Sequence, residues 1–150
     1  YDNGFIYTDL KLENVLFKCL PDNKVKVTLG DIGSICANNE GVATYVPWEY
    51  KHNNGFIVEC NEKHIVWVIG MLSLCILTNQ SSITAFLFTN ISYLNDEDCD
   101  RELAKNLEKI PNVKLSEIIR KTLDRDPEKR ISLQEFHDLL NKPEVRHDVV

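Results

Sequence analysis

The chain has 150 residues, a net charge of −6 and a pI of about 5.2: enough for one domain, and the wrong charge for a nucleic-acid-binding face. Its five cysteines are odd in number and form no Cys-x-x-Cys pair, which excludes a visible zinc knuckle or disulfide framework and points to a reducing compartment. The four histidines (His52, His64, His137 and His147) lack the His-Glu-x-x-His spacing of a zinc protease.

In chain order, the first element is a polar block, Tyr7-Thr8-Asp9-Leu10-Lys11-Leu12-Glu13-Asn14. Val15-Leu16-Phe17 and Val25-Lys26-Val27-Thr28-Leu29 follow as strand-like runs, and Pro21-Asp22-Asn23 between them is turn chemistry, so a β-hairpin is predicted. From Gly33 to Glu49, with Asn38-Asn39-Glu40-Gly41 and Pro47, there is no helical period and a loop is expected. The 14 residues from Ile65 to Thr78 carry no charge. A bilayer span needs about 20 such residues, so this segment is read as a core helix, apolar all round and covered by protein on every side. Leu103, Leu107 and Ile110 fit one helix face ended by Pro111, and Leu115, Ile118, Ile119 and Leu123 fit a second. Ser132 with Glu135 makes a capping box opening a last helix that buries Leu133, Phe136, Leu139 and Leu140. The fold class expected is α+β and mainly helical: a small hairpin, then helices packed about one central buried helix.

Two blocks carry chemistry. In the first, Asp9, Lys11 and Asn14 offer an oxygen base, a cation for phosphate and an amide oxygen for a metal. In the second, Gly30-Asp31-Ile32-Gly33, a carboxylate sits in a Gly-flanked turn where the backbone bends sharply. Phosphoryl transfer needs these parts, because its catalysis is mostly positioning and charge neutralisation. Singly, each block is also what an ordinary turn looks like; together and in order they are more specific.

The order of these blocks resembles the C-terminal lobe of a eukaryotic-type Ser/Thr protein kinase, with residues 1–141 as the lobe and 142–150 as a tail. Tyr7-Thr8-Asp9 stands where that family carries His-Arg-Asp, and Asp31-Ile32-Gly33 where it carries Asp-Phe-Gly. The segment from Gly41 to Glu49 resembles the end of the activation segment, and Val66-Trp67-Val68-Ile69-Gly70 the start of the central helix. Leu123-Asp124-Arg125-Asp126-Pro127-Glu128-Lys129-Arg130-Ile131-Ser132 is similar to the closing Leu-x-x-Asp-Pro-x-x-Arg-x-Ser/Thr. The abbreviated activation segment and the Gly-Asp-x-Gly-Ser turn also resemble divergent kinases of large DNA viruses.

The resemblance implies an ATP-dependent protein Ser/Thr kinase using Mg²⁺, with Mn²⁺ as a substitute, acting on a protein substrate in the cytoplasm (the host's, if viral), with no nucleic-acid or membrane partner. Asp9 is then the base, Lys11 neutralises the γ-phosphate, and Asn14 with Asp31 holds the metal. The Asp-Leu-Lys form at Asp9, Leu10 and Lys11 favours Ser/Thr over Tyr specificity. Glu49 is expected to pair with Arg130, 81 residues away.

The chain also departs from the pattern. Thr8 replaces an Arg that grips an activation-loop phosphate, so control by such a phosphate is not expected. Ile65 replaces an Asp that holds the catalytic-loop backbone, Val42 a Thr, and Trp48 a Pro. A Gly-rich phosphate loop, a strand Lys of the Val-Ala-x-Lys kind and its Glu partner are absent from these residues. Since the chain opens at Tyr1 in mid-motif, it is read as a piece of something longer whose N-terminal lobe completes the nucleotide site. The alternative is a catalytically inactive pseudokinase or lobe-only decoy that binds a kinase or its substrate.

Overall fold

Apolar residues at helical spacing and good caps account for most of the architecture. The structure, a computed structural model, describes residues 7, 9–31, 40–42, 45–50, 57–59, 61–79 and 95–142. Among these are four α-helices: α1 (Glu62–Thr78), α2 (Asp96–Leu107), α3 (Val113–Thr122) and α4 (Leu133–Asn141). Each begins at a residue whose side chain accepts the orphan amide three positions on: Asn61 from His64, Asn95 from Asp98, Asn112 from Leu115, Ser132 from Glu135. At Ser132 the reciprocal bond is also present, completing the capping box. Two small antiparallel sheets precede and flank the helices: β1 (Val15–Cys19) with β2 (Val25–Leu29), and β3 (Glu40–Val42) with β4 (Ile57–Glu59). The fold is α+β and mainly helical.

The core is built around α1. Trp67, Met71, Leu74 and Cys75 of this helix pack with Trp48, with Cys99, Leu103 and Leu107 of α2, and with Ile110, Ile119 and Leu123. Gly70 lets α1 and α3 approach closely: a Cβ there would lie 2.1 Å from Thr122 Oγ1 and 2.9 Å from Leu123 Cδ2. On the other side of α1, Val68 and Leu72 pack with Tyr45, Leu10 and Leu12. Among the described residues no helix is long and apolar enough to cross a membrane.

Several expectations change. The stretch from Gly33 to Glu49 is not all loop: Glu40–Val42 is a strand, and Trp48–Tyr50 a single 3-10 turn. A three-residue strand shows no period; it is made by its pairing with Ile57–Glu59, far along the chain. Helix α2 ends at Leu107, and Ile110 is buried from the turn beyond it, through Ile110 N–H donating to Leu107 O at 3.1 Å. The central helix is covered along most of its length, but Ile76 and Leu77 at its end are exposed. None of Leu133, Phe136, Leu139 and Leu140 is fully buried, and Leu140 is 43% exposed, because α4 rests on the outside of the bundle, mainly against α3.

The hairpin forms as expected, with Val15 opposite Leu29 and Cys19 opposite Val25. Asp22 (φ 64°) and Asn23 (φ 57°) both take the left-handed conformation, which matches the twist of a tight hairpin. Its alternation does not reflect burial within the chain: every residue of β2 is exposed, and Phe17 of β1 is 73% exposed.

Candidate functional site

Alternation sets up the first loop. Leu10 and Leu12 pack against Val68, Leu72 and Tyr45, while Asp9 and Lys11 are half-buried beside them. The Tyr45 hydroxyl bonds the Leu12 backbone, and burial pushes its pKa up to about 12, so it remains a neutral phenol. This packing anchors the loop against α1 and Tyr45.

Above that floor the polar side chains converge. Lys11 Nζ lies 2.6 Å from Asp9 Oδ2, and this bond raises the lysine pKa, keeping it an ammonium group. Asn14, only 7% exposed, ends the 3-10 turn Leu12–Asn14. Its Nδ2 donates to Asp9 O at 2.9 Å, to Asp9 Oδ2 at 3.2 Å and to the Tyr7 hydroxyl at 2.8 Å. With the amide nitrogen so committed, Oδ1 is the end left to face a cation. The Tyr7 hydroxyl in turn donates to Gly30 O at 2.8 Å, and Gly30 N–H donates to Asn14 O at 2.8 Å. Asp31 therefore begins from a backbone fastened to Asn14. It is exposed and has φ 47°, a left-handed conformation uncommon for a residue with a Cβ though more accessible to Asp than to most.

The donor set fits a hard divalent cation. Mg²⁺ takes oxygen ligands and is commonly held by one or two protein groups plus substrate phosphates; Asn14 Oδ1 and the Asp31 carboxylate are oxygen groups of that kind, on two segments joined by the Gly30 N–H to Asn14 O bond. Among the described residues no group of three or more His, Cys, Asp or Glu side chains is placed to hold a metal alone. The structure thus brings Asp9, Lys11 and Asn14 into one hydrogen-bonded cluster and ties the turn bearing Asp31 to it.

The distant pair forms as well. Arg130 Nη1 donates to Glu49 Oε1 at 3.0 Å and Nη2 to Oε2 at 2.9 Å, a bidentate fork. Its remaining donors reach Lys63 O and, twice, Asp124 O, so all five N–H groups are satisfied although the side chain is wholly buried. The guanidinium also lies 4.9 Å from the Trp67 ring centroid, and Lys63 Nζ donates back to Arg130 O. Glu49 thereby locks the end of the Tyr45–Tyr50 segment to the start of α1 and to the approach to α4.

Trp48, a departure in sequence, has a structural role. It is buried in the main core, with the Arg125 guanidinium 5.6 Å from its ring centroid. Arg125 forks onto Asp100 at 2.7 and 2.8 Å and reaches Asp96 at 2.7 Å, so α2 is tied to the same segment. Sequence spacing missed this link, and it also missed the Tyr7 hydroxyl, since neither contact leaves a periodic signal. Thr8, Ile32 and Gly33 lie outside the described residues; Val42 lies in β3.

No protein-family model and no curated protein matches this chain.

Proposed function

We propose that this chain is the larger lobe of a eukaryotic-type protein Ser/Thr kinase, transferring the γ-phosphate of ATP to a protein hydroxyl. The observation that carries this is the commitment of Asn14 Nδ2 to Asp9 O, which leaves the amide oxygen as the end of that side chain available to a cation beside the Asp9–Lys11 pair. Asp9 orients the substrate hydroxyl and accepts its proton. Lys11, held as an ammonium ion by Asp9, neutralises the γ-phosphate in transit. Asn14 and Asp31 are the residues that would hold Mg²⁺, whose chemistry is to offset charge on the β- and γ-phosphates. The Glu49–Arg130 fork and the Leu10–Leu12 floor keep the loops in register, which matters because an error of about 1 Å can cost about a hundredfold in rate. A Gly-rich phosphate loop is absent from these residues, so in this reading ATP is held between this lobe and a second one.

The test is Asp9→Asn in the protein joined to its second lobe, assayed for radiolabelled phosphate transfer to Ser/Thr peptides and for partner capture. Loss of a positioned base lowers the rate about 10²–10⁴-fold, while side-chain volume and partner capture are retained. Wild-type protein that transfers nothing with Mg²⁺ or Mn²⁺, yet captures a kinase or its substrate, would instead establish the decoy.

A further inference from the structure

The segment from Tyr45 to Trp48 is held at both ends, each by a different part of the molecule. At one end Trp48 lies in the main core with Cys99 and Leu103 of α2, and the Arg125 guanidinium lies 5.6 Å from its ring centroid. The same guanidinium forks onto Asp100 at 2.7 and 2.8 Å and reaches Asp96 at 2.7 Å, so ring and helix share one cation. At the other end Tyr45 packs on Leu10 and Leu12, and its hydroxyl bonds the Leu12 backbone. Val46 and Pro47 are all that separates the two ends. Pro47 is fully buried, its ring restricts φ, and its carbonyl accepts from Tyr50 N–H at 3.0 Å. A link so short, stiff and closely packed passes a displacement on rather than absorbing it. We propose that Arg125 is a positioning residue: by clamping Trp48 to α2 it sets, through Tyr45, the conformation of the loop bearing Asp9, Lys11 and Asn14.

The catalytic meaning of this rests on the reading of that loop as the site of phosphoryl transfer; the mechanical link does not. The clamp is electrostatic and open to water, since the Asp96 and Asp100 side chains are 59% and 57% exposed, so salt weakens it. The packing of Tyr45 on Leu10 and Leu12 is apolar and is not screened.

The experiment is hydrogen exchange by NMR on the 150-residue chain. The Asn14 amide, donating to Lys11 O at 3.0 Å, reports the loop; the Cys99 amide, donating to Asn95 O at 3.1 Å, reports α2; the Phe136 amide, donating to Ser132 O at 2.9 Å, reports α4, outside the clamp. Expected for Arg125→Gln is exchange about 3–10-fold faster at Asn14 and Cys99, and unchanged at Phe136. Arg125→Lys, which keeps the charge but loses the fork, should restore part of the protection. In a Tyr45→Phe background, where the hydroxyl bond to Leu12 is gone, Arg125→Gln should add nothing at Asn14. Raising NaCl from about 0.1 to about 1 M should speed Asn14 exchange in the wild type and not in Arg125→Gln. Faster exchange at Cys99 with Asn14 unchanged overturns the proposal and leaves Arg125 a local tie of α2. Equal acceleration at all three amides, or a variant that does not fold, also overturns it, since Arg125 would then hold the whole fold; a wild-type Asn14 amide indifferent to salt does the same without any variant. In the protein joined to its second lobe, Arg125→Gln should lower kcat for phosphate transfer more than it raises the peptide KM. Coupled exchange in a wild type that transfers no phosphate removes the proposed function and leaves the link standing.

Discussion

Removing Glu49 tests how the Tyr50 end of its segment is held to the helices. Glu49→Ala deletes both acceptors of the fork at 3.0 and 2.9 Å and leaves Arg130 with three of its five hydrogen bonds, to Lys63 O and Asp124 O. Breaking a fully buried pair from one side typically costs about 3–5 kcal/mol, because an uncompensated charge stays behind. The arginine side chain is wholly buried, but that of Glu49 is 22% exposed, so water can enter the vacated space and hydrate the two freed N–H groups. The expected loss is therefore lower, about 2–3 kcal/mol. Arg130→Met should lose more, about 3–5 kcal/mol: it strands the half-buried Lys63 and Asp124 carbonyls and removes the contact with Trp67, while Glu49 rehydrates. The double variant should fall short of the sum by about 1–2 kcal/mol. Urea unfolding followed by tryptophan fluorescence is the assay; Trp67, directly under the guanidinium, reports the site, and Trp48→Phe isolates its signal. A Glu49→Ala loss below about 0.5 kcal/mol, the range of an exposed pair, would refute the reasoning.

Three further outcomes are expected. Gly70→Ala should destabilise by about 1–3 kcal/mol despite alanine's better helix propensity, since its Cβ would meet Thr122 Oγ1 at 2.1 Å; Thr122→Ala should restore part of the loss, and full tolerance of Gly70→Ala in urea unfolding would show that α1 and α3 can separate. The Glu135 carboxyl is held below its ordinary pKa by hydrogen bonds from Ser132, chiefly from its backbone N–H, so its contribution to α4 is complete above the ordinary glutamate value and is lost as pH falls through the depressed one; Ser132→Ala should cost about 0.5–2 kcal/mol at neutral pH, and if the thermal-unfolding difference between wild type and Glu135→Gln were the same at low as at neutral pH, the carboxylate would have no part in the cap. The 150-residue chain alone should bind ATP with Mg²⁺ weakly or not at all by titration calorimetry, and a low-micromolar affinity would show that no second lobe is needed.

What the amino-acid order determined by itself were features set by local physics. An uncharged run too short for a bilayer became α1, the capping box at Ser132 and Glu135 formed, and Pro21-Asp22-Asn23 turned the hairpin, because caps, turns and apolar period act over a few residues. Asp9, Lys11 and Asn14 were legible as a group for the same reason: five positions of chain hold them together. Glu49 and Arg130 were legible only through the resemblance, and no local rule could have shown that all five guanidinium donors would be satisfied. Tertiary structure alone decided the rest. The strand Glu40–Val42 exists by virtue of a distant partner, Trp48 is buried under an arginine that also clamps α2, and the Tyr7 hydroxyl spans two loops. The apolar residues of α4 and the hairpin show the limit most directly. Period shows which face of an element is apolar, but burial depends on what packs against that face: α4 lies at the edge of the bundle, and the hairpin strands stand largely clear of the helices.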